Sequence, residues 1–237
     1  MTEHINDNLR EPDPDIHVFR KGLCVSGARP RQRSPLELSL DAQDGFIPLW
    51  AKGVVLRYRF DQRTLRWSGR TREEILKLFD KAVEKWGDAV PVKFVENTRA
   101  WDFEIIVREH KVCYQNGCTL ASAFFPGGGQ QKLTIYPSLF DQIEFEQVET
   151  LVHELGHVFG LRHWFAKEME QEWKAELFGT QNPFTIMNYG ENSTLTEVDK
   201  DDLKRLYNQA WSGELSNING TPIRLLQPFS ANLHPVH

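Results

Sequence analysis

The sequence has no long hydrophobic run, few cysteines and little net charge, and each of these absences excludes a class of protein. No stretch of about 18 or more residues is apolar, and the chain opens on polar residues instead of a basic and then apolar leader. This pattern predicts no membrane-spanning segment and a cytoplasmic protein, or a secreted one if a leader has been removed from the sequence as given. The formal net charge is -5 at pH 7, with both signs interspersed. Neither nucleic acid nor a membrane surface is therefore expected as a partner.

Three cysteines are few for a small secreted scaffold built on disulfides. Cys113 and Cys118 flank an Asn116-Gly117 turn signal typical of a β-hairpin, so their side chains could cross-link the two strands. They would do so in an oxidising compartment and remain thiols in a reducing cytosol, and the sequence leaves both states open.

The composition changes along the chain and divides it into two parts. Residues 1–47 are rich in proline, arginine and aspartate and show little periodicity, which predicts an extended arm. Residues 48–237 are enough for one domain with a substantial core, or for two lobes that meet at a cleft. In this part the predicted order is a strand, an amphipathic helix, several strands and then a second helix, and the first helix begins with a capping box at Thr71 and Glu74 and ends at Gly87.

A later helix carries the residues with the clearest chemistry, in the segment His-Glu-Leu-Gly-His. His153 and His157 lie one turn apart on the same face of this helix. Two neutral imidazoles at this spacing can occupy two corners of a tetrahedron at roughly 2.0 to 2.1 Å from Zn²⁺. Glu154 points to the neighbouring sector, where it can reach a metal-bound water without being a ligand.

The third ligand requires the helix to end. In a continuous helix His163 would lie about 9 Å further along the axis than His157 and could not share the ion. Gly160 removes this obstacle, because glycine adopts the left-handed conformation that ends helices and turns the chain back. The spacing therefore predicts a three-histidine zinc site with an open fourth position. The alternative is a buried helix whose histidines satisfy one another.

A second motif lies downstream, in the segment Thr-Ile-Met-Asn-Tyr after an Asn182-Pro183 turn signal. Together the two motifs resemble the metzincins, a clan of zinc endopeptidases with HExxHxxGxxH and a later Met-turn. The resemblance implies that Met187 forms an apolar floor under the imidazoles and that Tyr189 is an extra zinc ligand that binds the oxyanion. Both could instead be ordinary core residues of a turn. The implied fold class is α+β, with a mixed twisted sheet and long helices in an upper lobe, a smaller helical or irregular lower lobe, and the zinc cleft between them.

The segment from Ala121 to Gly127 resembles the strand that lines the substrate cleft in matrixins, and the expected substrate-binding edge strand consists of Leu120, Ala121, Ser122 and Ala123. It implies that a substrate is held there by strand addition. Matrixins have a structural zinc and a calcium ion whose ligands include a histidine where Ser122 stands and Asp and His side chains where residues 132–137 stand. This chain lacks those ligands, so one zinc ion is expected, with no structural zinc and no matrixin-type calcium.

The predicted function is that of a monomeric zinc endopeptidase acting on proteins or peptides. A zinc-bound water would lose its proton to Glu154, which would then pass it to the leaving amine. Two alternatives remain: a latent or non-catalytic zinc-binding protein of the same fold, and a zinc hydrolase that acts on substrates other than peptides.

Residues 1–47 are a candidate latency segment. Matrixin pro-segments place a cysteine thiolate on the zinc, and Cys24 precedes the catalytic domain with basic neighbours that favour the thiolate. The residues around Cys24 do not match the matrixin switch sequence. Astacins use an aspartate instead, for which Asp41 and Asp44 are rival candidates, and Cys24 could also be an ordinary packed cysteine.

Overall fold

The structure is a computed structural model that describes residues 16–19, 38–42, 44–114, 117–163, 175–179, 185–188 and 193–233. The helices are α1 (Gln62–Ser68), α2 (Arg72–Trp86), α3 (Glu144–Val158) and α4 (Glu197–Ser212). The strands are β1 (Ile16–Phe19), β2 (Leu38–Asp41), β3 (Ile47–Trp50), β4 (Val55–Phe60), β5 (Lys93–Glu96), β6 (Phe103–Val107), β7 (Cys113–Tyr114), β8 (Gly117–Ser122), β9 (Gln131–Ile135), β10 (Leu161–Arg162), β11 (Ala175–Phe178), β12 (Asn217–Ile218) and β13 (Thr221–Leu226).

The main sheet is mixed and has the order β1-β8-β9-β6-β4-β5, with β7 paired to β8. Strands β5, β4, β6 and β9 are parallel to one another, whereas β8 runs antiparallel to β9 and β1 runs antiparallel to β8. Burial alternates along β4, so that every second side chain packs into the core. A mixed sheet combined with long helices confirms the predicted α+β class.

The two long helices α2 and α3 pack together. The apolar stripe of α2 is buried and includes Phe79 and Trp86, and the Trp86 indole donates a hydrogen bond of 3.0 Å to the carbonyl of Val152 on α3. Thr71 and Glu74 form the predicted capping box, and α2 stops at Gly87 as the sequence predicts. This packing fixes the helix that carries the histidines.

Segments from both ends of the described chain complete the domain through two small sheets. Strand β2 lies between β10 and β11, and β3 pairs in parallel with β13, which also pairs with β12. The buried carboxylate of Asp102 holds the final segment, because it accepts hydrogen bonds from the backbone N–H of Ser230 at 2.6 Å and from that of Arg57 at 2.7 Å. Residues 39–42 lie within the predicted extension, and their side chains are buried in the domain.

The hairpin of β7 and β8 carries a disulfide between Cys113 and Cys118, so the structure contains the oxidised state of this pair. Within the described part of the chain, no helix combines the length and the apolar character needed to span a bilayer.

Candidate metal centre

Helix α3 supplies the first two imidazoles of the centre. His153 and His157 are 0% and 1% exposed, and their ring centroids lie 4.9 Å apart with an interplanar angle of 82°. The one-turn spacing predicted from the sequence therefore places both rings on the buried face of the helix.

The chain turns back sharply after α3 and brings in the third imidazole. Gly160 has a φ of +90°, in the left-handed region where a side chain is strained. The two-residue strand β10 follows, and then His163, which is 0% exposed. Its ring centroid lies 5.2 Å from that of His153 and 4.9 Å from that of His157. The ligand atoms of all three residues lie within 4.8 Å of one another.

Backbone carbonyls orient two of the imidazoles. Nδ1 of His153 lies 2.8 Å from the carbonyl oxygen of Ile186, and Nδ1 of His157 lies 2.7 Å from that of Leu161. A ring that donates from Nδ1 carries its lone pair on Nε2, which is the atom available to a metal. Burial, and then the neighbouring imidazoles, hold the pKa of His153 well below its usual range. Three buried nitrogen donors, two of them oriented by backbone carbonyls, are the kind of set that a catalytic zinc ion requires, so the residues fit the metal.

Glu154 lies in α3 directly after the first imidazole. It is 0% exposed, in contrast to most glutamates, which are rarely buried without a partner or a function. The sequence predicts that this carboxylate is a proton acceptor and not a fourth ligand.

The predicted Met-turn lies beneath α3. Residues 185–188 form a tight turn, closed by a hydrogen bond of 3.1 Å from the backbone N–H of Asn188 to the carbonyl of Thr185. Met187 is 2% exposed, and a Cβ at position 156 would overlap its sulfur. Gly156, which the sequence analysis passed over, is therefore needed for the close approach of Met187. A glycine between two ligands on one turn of a helix indicates that another segment packs closely against that turn.

Asp199 in the first turn of α4 supports the same turn. Its carboxylate closes a capping box with Thr196 and also accepts hydrogen bonds from the side chain of Thr185 and the backbone of Ile186. Burial raises the pKa of Asp199 above its usual value. Asp199 thus contacts the residue whose carbonyl orients His153. The sequence spacing of Thr196 and Asp199 indicated the helix start but not this second role.

Side chains from distant elements bind two buried backbone carbonyls at the C-terminal end of α3. The Trp50 indole donates to the carbonyl of Val158 at 2.7 Å, and the Tyr207 hydroxyl donates to that of Phe159 at 3.0 Å. The same hydroxyl accepts a hydrogen bond of 3.3 Å from the Trp50 backbone, and burial raises its pKa. Nothing in the local sequence indicated these two contacts, which join β3 and α4 to the turn at Gly160.

The structure describes the predicted substrate strand, which pairs with part of the predicted extension. Leu120 and Ala121 are fully buried, while Ser122 and Ala123, at the end of β8 and just beyond it, are half-buried. Strand β1, from the predicted extension, pairs along β8, with Ile16 opposite Ser122 and Phe19 opposite Cys118. Tyr189 and Cys24 lie outside the described residues.

The two rival aspartates also differ. Asp41 is buried and forms an ion pair with Arg162, in which Oδ1 lies 3.2 Å from Nη1. Asp44 is exposed. Asp41 is thus part of the domain's internal packing.

Comparisons with known proteins identify relatives. The family model of matrixin matches residues 49–208. Metalloendoproteinase 4-MMP of Arabidopsis thaliana is 28% identical over 144 residues, which cover 51% of this chain and 40% of that protein. The macrophage metalloelastase of Rattus norvegicus is 35% identical over 107 residues, which cover 39% of this chain and 22% of that protein. The matching part therefore spans less than half the length of these curated relatives.

Two solved structures are similar at low sequence identity. The structure of myroilysin has a TM-score of 0.46 and 12% identity, and the match covers 71% of this chain and 98% of that one. High choriolytic enzyme 1, a hatching enzyme zinc-protease from the medaka Oryzias latipes, has a TM-score of 0.47 and 16% identity, and the match covers 68% and 94%.

The matched residues 49–208 include both the histidine motif and the predicted Met-turn, two segments that the structure joins through the contact of His153 with Ile186. The resemblance to the metzincins is thereby confirmed, and the chain belongs to the matrixin family.

Proposed function

We propose that the chain is a zinc-dependent endopeptidase that hydrolyses internal peptide bonds. The observation that carries the proposal is the group of three buried imidazoles whose ligand atoms lie within 4.8 Å of one another. Membership of a peptidase family supports the same function. His153, His157 and His163 hold one zinc ion per chain.

Bound zinc would supply Lewis acidity, which lowers the pKa of water to about 7 and polarises a peptide carbonyl. Glu154 accepts the proton of the attacking water and then delivers it to the leaving amine. Because Glu154 is fully buried, bulk water does not compete for its carboxylate. Tyr189 is the proposed donor to the oxyanion, and Met187 forms the apolar floor below the imidazoles.

Proteins or peptides in extended conformation are the proposed substrates, bound as an added strand along β8. Phe125, just beyond β8, supports this placement, because its ring centroid lies 5.4 Å from that of His157. A substrate strand would take the position that β1 occupies against β8. This competition supports the proposal that residues 1–47 contain a latency segment, which acts at least in part by occupying the substrate strand.

The remaining features of the enzyme are also proposals. It acts as a monomer without a structural zinc or a matrixin-type calcium, and without nucleic acid or membrane partners. The disulfide between Cys113 and Cys118 supports the secreted location over the cytoplasmic one, since such bonds persist in oxidising compartments.

The test is a pair of substitutions on α3. Glu154→Gln keeps the size of the side chain but removes the proton acceptor, so the protein should still bind about one zinc ion while cleavage of a protein substrate falls by about 10² to 10⁴. Glu149→Gln is the matched control, because Glu149 lies on the same helix, is buried, and pairs with Lys85 rather than with the centre. Full proteolysis by Glu154→Gln, or a native protein that binds zinc but cleaves nothing, would refute the proposal.

A further inference from the structure

We propose that Asp41 and Arg162 are positioning residues for the metal centre, which act by fixing the short strand β10 from which two of the three imidazoles take their orientation. The inference rests on the zinc site of the proposed function and goes beyond it. It assigns a role in metal binding to a segment that precedes the predicted catalytic domain.

Strand β10 controls two imidazoles at once. Its first residue, Leu161, provides the carbonyl that lies 2.7 Å from Nδ1 of His157. Its second residue, Arg162, immediately precedes His163 in the chain. A shift of β10 would therefore rotate one ligand and displace another, and metal affinity is sensitive to such changes around the ligands.

Strand β10 is short and begins directly after the turn that ends α3. It has only two residues, and it follows Gly160, whose left-handed backbone ends α3. Strand β2 holds it from the other side, with Leu40 opposite Leu161 and Ser39 opposite Arg162. The backbone N–H of Asp41 also donates a hydrogen bond of 3.2 Å to the carbonyl of Gly160.

The ion pair fixes the position of β10 along β2. Nη1 of Arg162 lies 3.2 Å from Oδ1 of Asp41, and the two side chains are 0% and 10% exposed. A buried ion pair adds little net stability, because desolvation offsets the attraction, but it fixes one arrangement, since separating the partners leaves a buried charge. The guanidinium also lies 5.5 Å from the ring centroid of Phe125, which in turn contacts His157. The pair therefore connects to both α3 and His163.

The pair also has an electrostatic consequence for a divalent cation. An uncompensated buried arginine next to a ligand would repel Zn²⁺, and the carboxylate of Asp41 cancels that charge. Positioning and charge make different predictions for the arginine. If charge alone mattered, removal of Arg162 would strengthen zinc binding, whereas a positioning role requires that it weaken zinc binding.

The experiment uses the full chain with Asp41→Asn, Arg162→Met and the double substitution Asp41→Leu with Arg162→Met. Zinc affinity is measured by competition with a chromogenic chelator, and geometry by the visible absorption of the Co²⁺-substituted protein. Each single variant should bind zinc about 10-fold or more weakly, within the range for groups that orient ligands. The double variant leaves no buried charge, so it should fold even if a single variant does not. The decrease in zinc affinity of the double variant should equal that of one single variant and not the sum of both decreases.

Asp102→Asn is the matched control, because Asp102 is a buried carboxylate that binds Arg57 and Ser230. It should lower the free energy of unfolding but leave zinc affinity and the Co²⁺ spectrum unchanged. Native-like zinc affinity in the double variant, tighter binding by Arg162→Met, or an equal loss in Asp102→Asn would overturn the inference. None of these outcomes contradicts the proposed function. The proposed function fails separately, if the native protein binds no zinc or cleaves no protein.

Discussion

Replacing Gly160 by alanine tests whether the turn after α3 must be both left-handed and tightly packed. Two costs follow from the structure. The backbone has a φ of +90°, and a left-handed conformation costs a residue with a side chain about 1 to 2 kcal/mol. The new Cβ would also lie 3.0 Å from the carbonyl oxygen of Pro48 and 3.3 Å from Cδ2 of Leu49. Crowding of this kind typically costs a further ~1 to 3 kcal/mol.

The free energy of unfolding of the zinc-free protein should therefore fall by about 2 to 5 kcal/mol, a large part of the total stability of a domain. Zinc affinity should fall as well, because the strain is relieved by moving the turn that carries His163. The assays are urea unfolding of the zinc-free protein and chelator competition for zinc.

Gly213→Ala separates the two costs. Gly213 has a φ of +82°, close to that of Gly160, but a Cβ there would meet nothing within 4 Å. This variant should show only the backbone cost and normal zinc affinity. If the two variants lose the same stability and Gly160→Ala binds zinc as the native protein does, the reasoning about crowding at the third ligand is refuted.

The other predictions concern latency, the oxyanion and pH. Deleting residues 1–35 removes β1 but keeps β2. It should lower KM for peptide substrates, since a tethered strand competes at an effective concentration of about 1 mM or less. Deleting residues 1–47 also removes β2 and should abolish tight zinc binding, so equal behaviour of the two truncated proteins contradicts this assignment. Cys24→Ser in the full chain should activate the enzyme only if a thiolate ligand causes latency. Tyr189→Phe should lower kcat about 10² to 10³ with little change in KM, and an unchanged kcat would make Tyr189 a structural residue. Below pH 6.5 the unfolded chain binds a proton at His153 that the folded zinc-free protein does not. The free energy of unfolding should therefore fall on acidification by up to about 1.4 kcal/mol per pH unit more than in His153→Leu. Equal pH slopes in urea unfolding would argue against a depressed pKa.

The parts of the structure that the sequence predicted are those in which local rules and metal chemistry agree. Helical periodicity placed α3, and the geometry of three imidazoles around one ion required the helix to end at Gly160. The capping box at Thr71 is likewise a contact between near neighbours in the chain. Each of these depends on residues within a few positions of one another.

The parts that the sequence did not predict depend on contacts between distant residues. Asp41 and Arg162 are 121 positions apart, and neither has a neighbour that reveals the pairing. Strand β2 lies in the stretch that is rich in proline, arginine and aspartate and has little periodicity, from which the sequence predicts an extended arm. Its burial against β10 and β11 depends on where those strands lie, which no local pattern encodes.

The hydrogen bond between the Trp50 backbone and the Tyr207 hydroxyl spans 157 positions. At a synthesis rate of about 5 to 20 residues per second, roughly 8 to 30 s separate the two residues on the ribosome. Until Tyr207 has emerged, the carbonyl of Phe159 has no hydroxyl to bind it, and the turn before His163 lacks that support. The nascent chain therefore carries the helix of His153 and His157 before the contact that supports the turn at Gly160 can form, and this part of the centre is completed only after Tyr207 has been made.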